Sequence, residues 1–221
     1  MRYGIMVAAA VLITGCSTVK PEQSEQTAFK RENCIETRCV VTYHQAAPYW
    51  TEQHQRFCPQ SQFMEAWGTE PEGTWCCTYE NGQYSKSGLA RPFMKSLPAG
   101  LMNAELAALL YTSFTLGSGF EPLSMTPGPV VGIEGRQYES FQLAARVDSP
   151  TITAYRNRVS GRIELVRLTD DKEIDWLAQS YNLRFHARLN RMIPRKIDIF
   201  DIRDGIPSKK LLIEFDYIDI Q

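Results

Sequence analysis

Five of the six cysteines in this 221-residue chain, Cys34, Cys39, Cys58, Cys76 and Cys77, fall within 44 residues of one another. Clustered thiols bind metal, act as nucleophiles or pair into disulfides. Metal is disfavoured, because no C-x-x-C pair occurs and the spacing of Cys34, Cys39 and Cys58 fits no zinc module. A nucleophile needs a base, and His54, four residues before Cys58, would share a helix face with it. Pro59 argues against a helix continuing there, which favours a surface histidine beside a disulfide cysteine. Disulfides are the favoured use of the cluster, and the odd count leaves at least one thiol or an intermolecular bond. Cys34 with Cys39 would close a small loop, and Cys58 with Cys76 or Cys77 would tie two elements together. The sequence holds no nucleophile elbow, metalloprotease helix, phosphate loop or dinucleotide fingerprint. Asp198, Asp201 and Asp204 with Gly205 are spaced by three, where a calcium loop alternates, so they read as a hairpin turn. Arg184, Arg188, Arg191 and Arg195 suit anionic head groups, although solvated strand faces are the commoner setting. These residues predict a protein that is not an enzyme and has no metal or cofactor.

The first seventeen residues say more about place than about chemistry. Arg2 supplies a positive start, Ile5 to Ile13 an apolar stretch, and Thr14-Gly15 the small residues before a signal-peptidase cut. Nine residues make a helix of about 14 Å, roughly half of a bilayer's hydrocarbon core, too short for a retained span. Ile13-Thr14-Gly15-Cys16 resembles the lipobox of bacterial lipoproteins. The resemblance implies that Cys16 becomes the mature N-terminus, carrying a diacylglycerol on sulfur and an N-acyl chain on its amino group. Two or more chains anchor stably where one is marginal. Ser17 is not the aspartate of the inner-membrane retention rule, so the resemblance points to the outer membrane, facing the periplasm.

Residues 1–15 are then a signal peptide and residues 16–31 a lipidated cysteine with a polar, flexible tether. Residues 32–221 form one β-rich globular domain, for which 43% apolar content is enough to build a core. Loss of Arg2 leaves 23 basic and 25 acidic residues, a balance that offers nothing to nucleic acid.

The elements that must position these groups are mostly strands. Asn81-Gly82, between Thr74–Glu80 and Gln83–Lys86, is the dipeptide that a type I′ hairpin turn prefers, with Trp75, Cys77 and Tyr79 on the apolar face and Cys76 on the polar one. Leu101 to Leu116 predicts a helix, stopped by Gly117 and Gly119. Tyr43 to Gln55 reads as a short helix, Phe120 to Gly132 as an irregular Pro- and Gly-bearing loop, and Asp170 to Ser180 as a short helix or long connection. Alternating segments elsewhere after Arg136 predict a meander that ends in Lys209 to Ile220. The class expected is α+β: a curved antiparallel sheet covered on its apolar face by a few helices.

The ending carries a family likeness. A strand (Tyr181 to Leu189), then Ile193-Pro194-Arg195-Lys196-Ile197-Asp198-Ile199, a turn at Asp204-Gly205, and Leu211-Leu212-Ile213-Glu214-Phe215-Asp216-Tyr217 resemble the close of the LolA/LolB lipoprotein-carrier superfamily. The likeness spans about residues 137 to 221 and implies an unclosed β-barrel whose helices plug an apolar cavity. The function it implies is an envelope protein that takes a lipid, acyl chain or lipoprotein. A structural lipoprotein that docks on an envelope protein partner without a ligand is the alternative. Replacing Cys16→Ala is expected to move the protein from the membrane to the periplasmic soluble fraction, and continued membrane fractionation would refute the anchor.

Overall fold

The computed structural model describes residues 34–44, 49–70, 73–88, 103–120, 124–143, 150–170 and 174–220. The expected signal peptide, Cys16 and the tether lie outside them. Among the described residues, twelve strands and one helix follow in the order β1 (Ile35–Tyr43), β2 (Tyr49–Cys58), β3 (Phe63–Glu70), β4 (Gly73–Glu80), β5 (Gln83–Gly88), α1 (Ala104–Gly117), β6 (Met125–Ile133), β7 (Arg136–Leu143), β8 (Thr151–Asn157), β9 (Ile163–Thr169), β10 (Asp175–His186), β11 (Arg191–Arg203) and β12 (Ile206–Ile220).

All twelve strands belong to one antiparallel sheet, ordered β5-β4-β3-β2-β1-β12-β11-β10-β9-β8-β7-β6. Two meanders, β1–β5 and β6–β12, are joined by a seam in which β1 pairs with β12, from Ile35↔Ile220 to Tyr43↔Leu211. The sheet is unclosed, with β5 and β6 as its edges. Helix α1 is the link in sequence between those two edges, and it packs against β3–β5 on one side and β9–β11 on the other. At about 4.8 Å per strand, β5 and β9 would stand about 38 Å apart in a flat sheet. A 14-residue helix is only about 21 Å long. The sheet therefore curls around the helix.

Period-two burial fixes which face turns inward. Ile35, Thr37, Cys39 and Val41 of β1 are buried, whereas Arg38 is exposed. Pairing carries this face across the sheet: Ile35 lies opposite Phe57, Phe57 opposite Met64, and Met64 opposite Tyr79. On the other side of the seam it continues through Ile213 and Ile197 to Ser180, and through Ile199 to Ala178 and Val166.

The centre of the core is an aromatic pile. Phe114 of α1 stacks on Phe57 of β2 with centroids 4.0 Å apart and meets Phe215 of β12 edge-on at 5.1 Å. Ile193, Ile197, Leu109, Leu110 and Leu168 complete it, all fully buried. The helix sits close to β10 and β11, for a Cβ at Gly117 would lie 3.1 Å from Ser180 and 3.5 Å from Pro194. Ser180 Oγ donates to the Ser113 carbonyl across this contact at 3.2 Å.

Several expectations need correction. The described residues of Tyr43 to Gln55 show no helix: Tyr43 ends β1, and Tyr49–Cys58 form β2. Most of the expected loop from Phe120 to Gly132 is edge strand β6, which accommodates Pro127, Gly128 and Pro129 at a register shift between Pro127 and Val130. The stretch from Asp175 to Ser180 is strand, opening β10. The helices foreseen over the sheet reduce to α1 among the described residues. The hairpin at Asn81-Gly82 forms as expected, both residues having positive φ, 48° and 82°.

The disulfide expectations change with β2. Cys34 bonds Cys58, with Cα atoms 4.3 Å apart, rather than Cys39, and neither Cys76 nor Cys77 joins Cys58. Ile35↔Phe57 pairing puts Cys34 and Cys58 at the next opposed position of the β1–β2 ladder. Closing a loop of 24 residues contributes about 3 kcal/mol by restricting the unfolded chain. Replacing Phe114→Ala is expected to cost about 3–5 kcal/mol in urea denaturation. A loss below about 1 kcal/mol would show that the pile does not hold the helix.

Candidate functional site

The surface enclosed by the curl is the candidate site, and α1 fills its middle. Asn103 starts the helix, its side chain accepting the Leu106 N–H at 2.8 Å. The residues from Leu106 to Leu110 and from Thr112 to Gly117 are all buried, so the helix is enclosed nearly all round. Its hydroxyls are spent locally: Ser113 Oγ donates to the Leu109 carbonyl at 2.7 Å and Thr115 Oγ1 to that of Tyr111 at 2.8 Å. Tyr111 Oη reaches the Pro59 carbonyl at 3.3 Å. At the far end Gly119 takes φ 77°, and Arg191 donates to its carbonyl while lying 4.6 Å from the ring of Phe120.

Beyond the helix, towards β5, the inner face changes character. Ala66, Trp75 and Cys77 form a separate small apolar cluster with Tyr84 packed on it. The indole of Trp75 lies against Gly68, where a Cβ would stand 2.9 Å from three ring atoms. Next to this cluster the inner positions of β1 and β2 are polar: Thr37, Gln53 and Gln55 are buried to within 4% of complete. Thr37 Oγ1 donates to the Gln55 backbone carbonyl at 3.3 Å. This polar run was missed in the sequence. Its only trace there is a glutamine at alternate positions, 53 and 55, in phase with Phe57.

The sulfur groups divide by face as the alternation required. Cys39 is buried on the inner face opposite Phe215, and Cys77 on the inner face opposite Ala66. Cys76 is half-buried on the outer face and donates its thiol to Glu65 Oε1 at 3.5 Å. Burial, then the charge of Glu65, push the Cys76 thiol up to about 11; burial, then neighbouring Cys76, push Cys77 up to about 12. Protonated thiols of this kind are poor nucleophiles and poor metal ligands.

His54 is exposed on β2 and stacks on Trp67 at 5.4 Å, separate from the disulfide. On the same outer face Arg56 bridges two acids, donating to Glu36 at 2.7 Å and Glu65 at 3.1 Å. Asp198 and Asp201 are paired with Lys209 at 2.8 Å and Lys210 at 3.2 Å along the β11–β12 hairpin, which turns at Asp204-Gly205 as the sequence indicated. Arg184 and Arg188 are exposed, and Arg195 is half-buried in β11. No group of three metal-ligating side chains occurs among the described residues.

No protein family and no curated protein matches this chain. Solved structures do match. A LolA superfamily protein from Nitrosomonas europaea superposes with TM-score 0.55 over 87% of this chain and 88% of its own, at 11% identity. The fold is LolA-like. An outer membrane lipoprotein-sorting protein domain from Vibrio parahaemolyticus gives TM-score 0.51 over 86% of each chain, at 8% identity. The LolA-like fold accounts for the unclosed antiparallel sheet and its single described helix, and it extends the likeness seen in the sequence after residue 137 to nearly the whole domain.

The thiols give a test of this geometry. Iodoacetamide at pH 7.5 is expected to alkylate Cys77 at least ~100-fold more slowly in the folded protein than in urea, read by peptide mass spectrometry. Because folding raises both thiol pKa values, their contribution to stability is complete below the unfolded value near 9 and declines as pH rises towards 11–12. The thermal midpoint is therefore expected to fall above pH 9 in wild type and less so in Cys77→Ala. Rapid alkylation of native Cys77 would place it outside the apolar cluster.

Proposed function

We propose that this protein is a non-enzymatic, lipid-anchored component of the bacterial envelope that binds an acyl chain or another apolar ligand on the inner face of its open barrel. The observation that carries the reading is the relation of helix to sheet. One buried helix fills an apolar concavity whose two edges, β5 and β6, are not bonded to each other. Such a concavity can exchange helix contacts for ligand contacts without breaking a strand pair. The drive for occupancy is burial of apolar area, at about 25 cal/mol per Å². The LolA-like fold of the two solved neighbours supports the reading. Anchorage through Cys16, facing the periplasm at the outer membrane, would bring the barrel to a source of acyl chains.

Native mass spectrometry tests the proposal on an exported chain beginning at Ser17. Every described core residue lies between Ile35 and Phe215, so this chain keeps all of the described core. Co-purifying masses in the lipid or acyl range, released by organic extraction, are the expected result. A consistently empty protein that also fails to take up N-phenyl-1-naphthylamine would overturn the proposal in favour of a lipoprotein that only docks on a partner.

A further inference from the structure

The hairpin of β10 and β11 outgrows the sheet that it belongs to. β9 accompanies β10 from Asp175 only as far as Gln179, and β12 accompanies β11 from Arg203 back to Lys196. Beyond these points β10 and β11 pair with each other, from Leu183↔Pro194 to His186↔Arg191, while β12 goes on from Phe215 against β1. Among the described residues, Leu183 to Pro194 is therefore a two-stranded arm with no strand on either side. Such a ribbon is marginal by itself. Leu189 packs against the main core, and Arg191 donates to the Gly119 carbonyl just past the helix, which ties the arm to the barrel.

Charge separates on this arm. Between Asp175 and Asp198 the chain has no aspartate or glutamate, but it has Arg184, Arg188, Arg191 and Arg195. The whole chain, by contrast, is slightly acidic, with net charge −1. Arg184, Arg188 and Arg191 are exposed, and Phe185 in their midst is 55% exposed. Antiparallel order places the β8–β9 turn at the same end of the sheet, where Val159, next to Arg158 in the chain, is 96% exposed. The acids of β6–β9 and their turns near this end are Glu134, Glu139 and Glu164. Arg158 lies 4.0 Å from Glu139, and Arg136 3.6 Å from Glu164.

Guanidinium groups on a protruding ribbon offer paired N–H donors to phosphate and a field that attracts an anionic surface. Exposed apolar side chains among them add area that a bilayer interface can bury. A protein interface gathers its apolar residues into one core patch. Phe185 and Val159 instead stand singly on two hairpins among arginines, an arrangement that a fluid surface can meet point by point. We propose that the β10–β11 arm, together with the β8–β9 turn, docks on an anionic lipid surface, its arginines on the phosphates and Phe185 at the level of the head groups. The docking does not depend on what the barrel interior holds.

The test uses the exported chain beginning at Ser17, which has no acyl chain of its own, in sedimentation with vesicles. One set is phosphatidylcholine alone, the other equal parts of phosphatidylcholine and phosphatidylglycerol. Wild type should partition onto the anionic vesicles at least about tenfold better than onto the neutral ones, and lose that advantage in high salt. An arginine near such a surface is worth about fivefold in partition. Arg184→Gln should therefore lower anionic partition about fivefold, and the double variant with Arg188→Gln about tenfold or more. Phe185→Ser should lower it about threefold and keep the salt dependence. Arg203→Gln removes an exposed charge at the opposite end of the sheet and should stay within about twofold of wild type. All these side chains are exposed, so thermal midpoints should stay close to that of wild type. Equal partition onto both kinds of vesicle, or a loss in Arg203→Gln as large as that in Arg184→Gln, overturns the proposal. So does a chain that ignores the anionic vesicles but binds poly-glutamate through Arg184 and Arg188, for the arm then belongs to an acidic protein.

Discussion

The contact on which this structure depends is that of Phe114 with Phe57 and Phe215. These three rings join the helix to β2 and β12, strands on either side of β1 at the middle of the sheet. Twelve strands with ordinary twist have many ways to splay, and nothing in backbone pairing alone selects the degree of curl. A short helix that must touch both β3–β5 and β9–β11 does select it. The pile fixes how far the helix stands off the middle of the sheet, and so how much surface the barrel encloses. Interior chemistry follows from this spacing. Leucines, isoleucines and phenylalanines fill the side towards β9–β11, whereas the amides of β2 and the separate cluster of Ala66, Trp75 and Cys77 take over towards β3 and β4.

How much of this was legible depended on whether one face of each strand was apolar. The Asn81-Gly82 hairpin and the strands from Thr151 to Leu168 were readable because turn chemistry or alternation agreed with tertiary placement. The misread segments break that agreement for identifiable reasons. In β2 the inward positions include Gln53 and Gln55, so the apolar-polar alternation vanishes where the strand is most buried. At the start of β10, Trp176 packs with the main core while Leu177 packs with an outer-face cluster of Tyr138, Tyr155 and Leu165. Apolar residues at consecutive positions mimic a helix pattern. In β6 two prolines sit in a strand that has a neighbour on one side only, a setting the sequence does not reveal.

The disulfide failed for the same reason as β2. Cys34 and Cys58 are opposed only if β1 and β2 pair in the register that starts at Ile35↔Phe57, and a helical reading of Tyr43 to Gln55 removes that partner. The glutamines that hid the strand are also those that distinguish the interior from a hydrocarbon lining. A departure from local pattern thus marked both the error and the most informative part of the site. The cysteine faces, by contrast, were correctly assigned, because Trp75, Cys77 and Tyr79 keep strict alternation.

The seam between β1 and β12 sets the order of events during folding. Each meander is built from neighbouring hairpins, whose strands meet across short loops and can form independently as the chain emerges. The seam joins residues from opposite ends of the domain, and it includes a bulge at Arg38/Cys39 that must be placed in register. Its loop-closure entropy is recovered only when most of the chain has been delivered. A chain of this design waits for its last strand before its first strand has a partner on both sides, which makes β1, tied to β2 by Cys34–Cys58, the template on which the fold is completed.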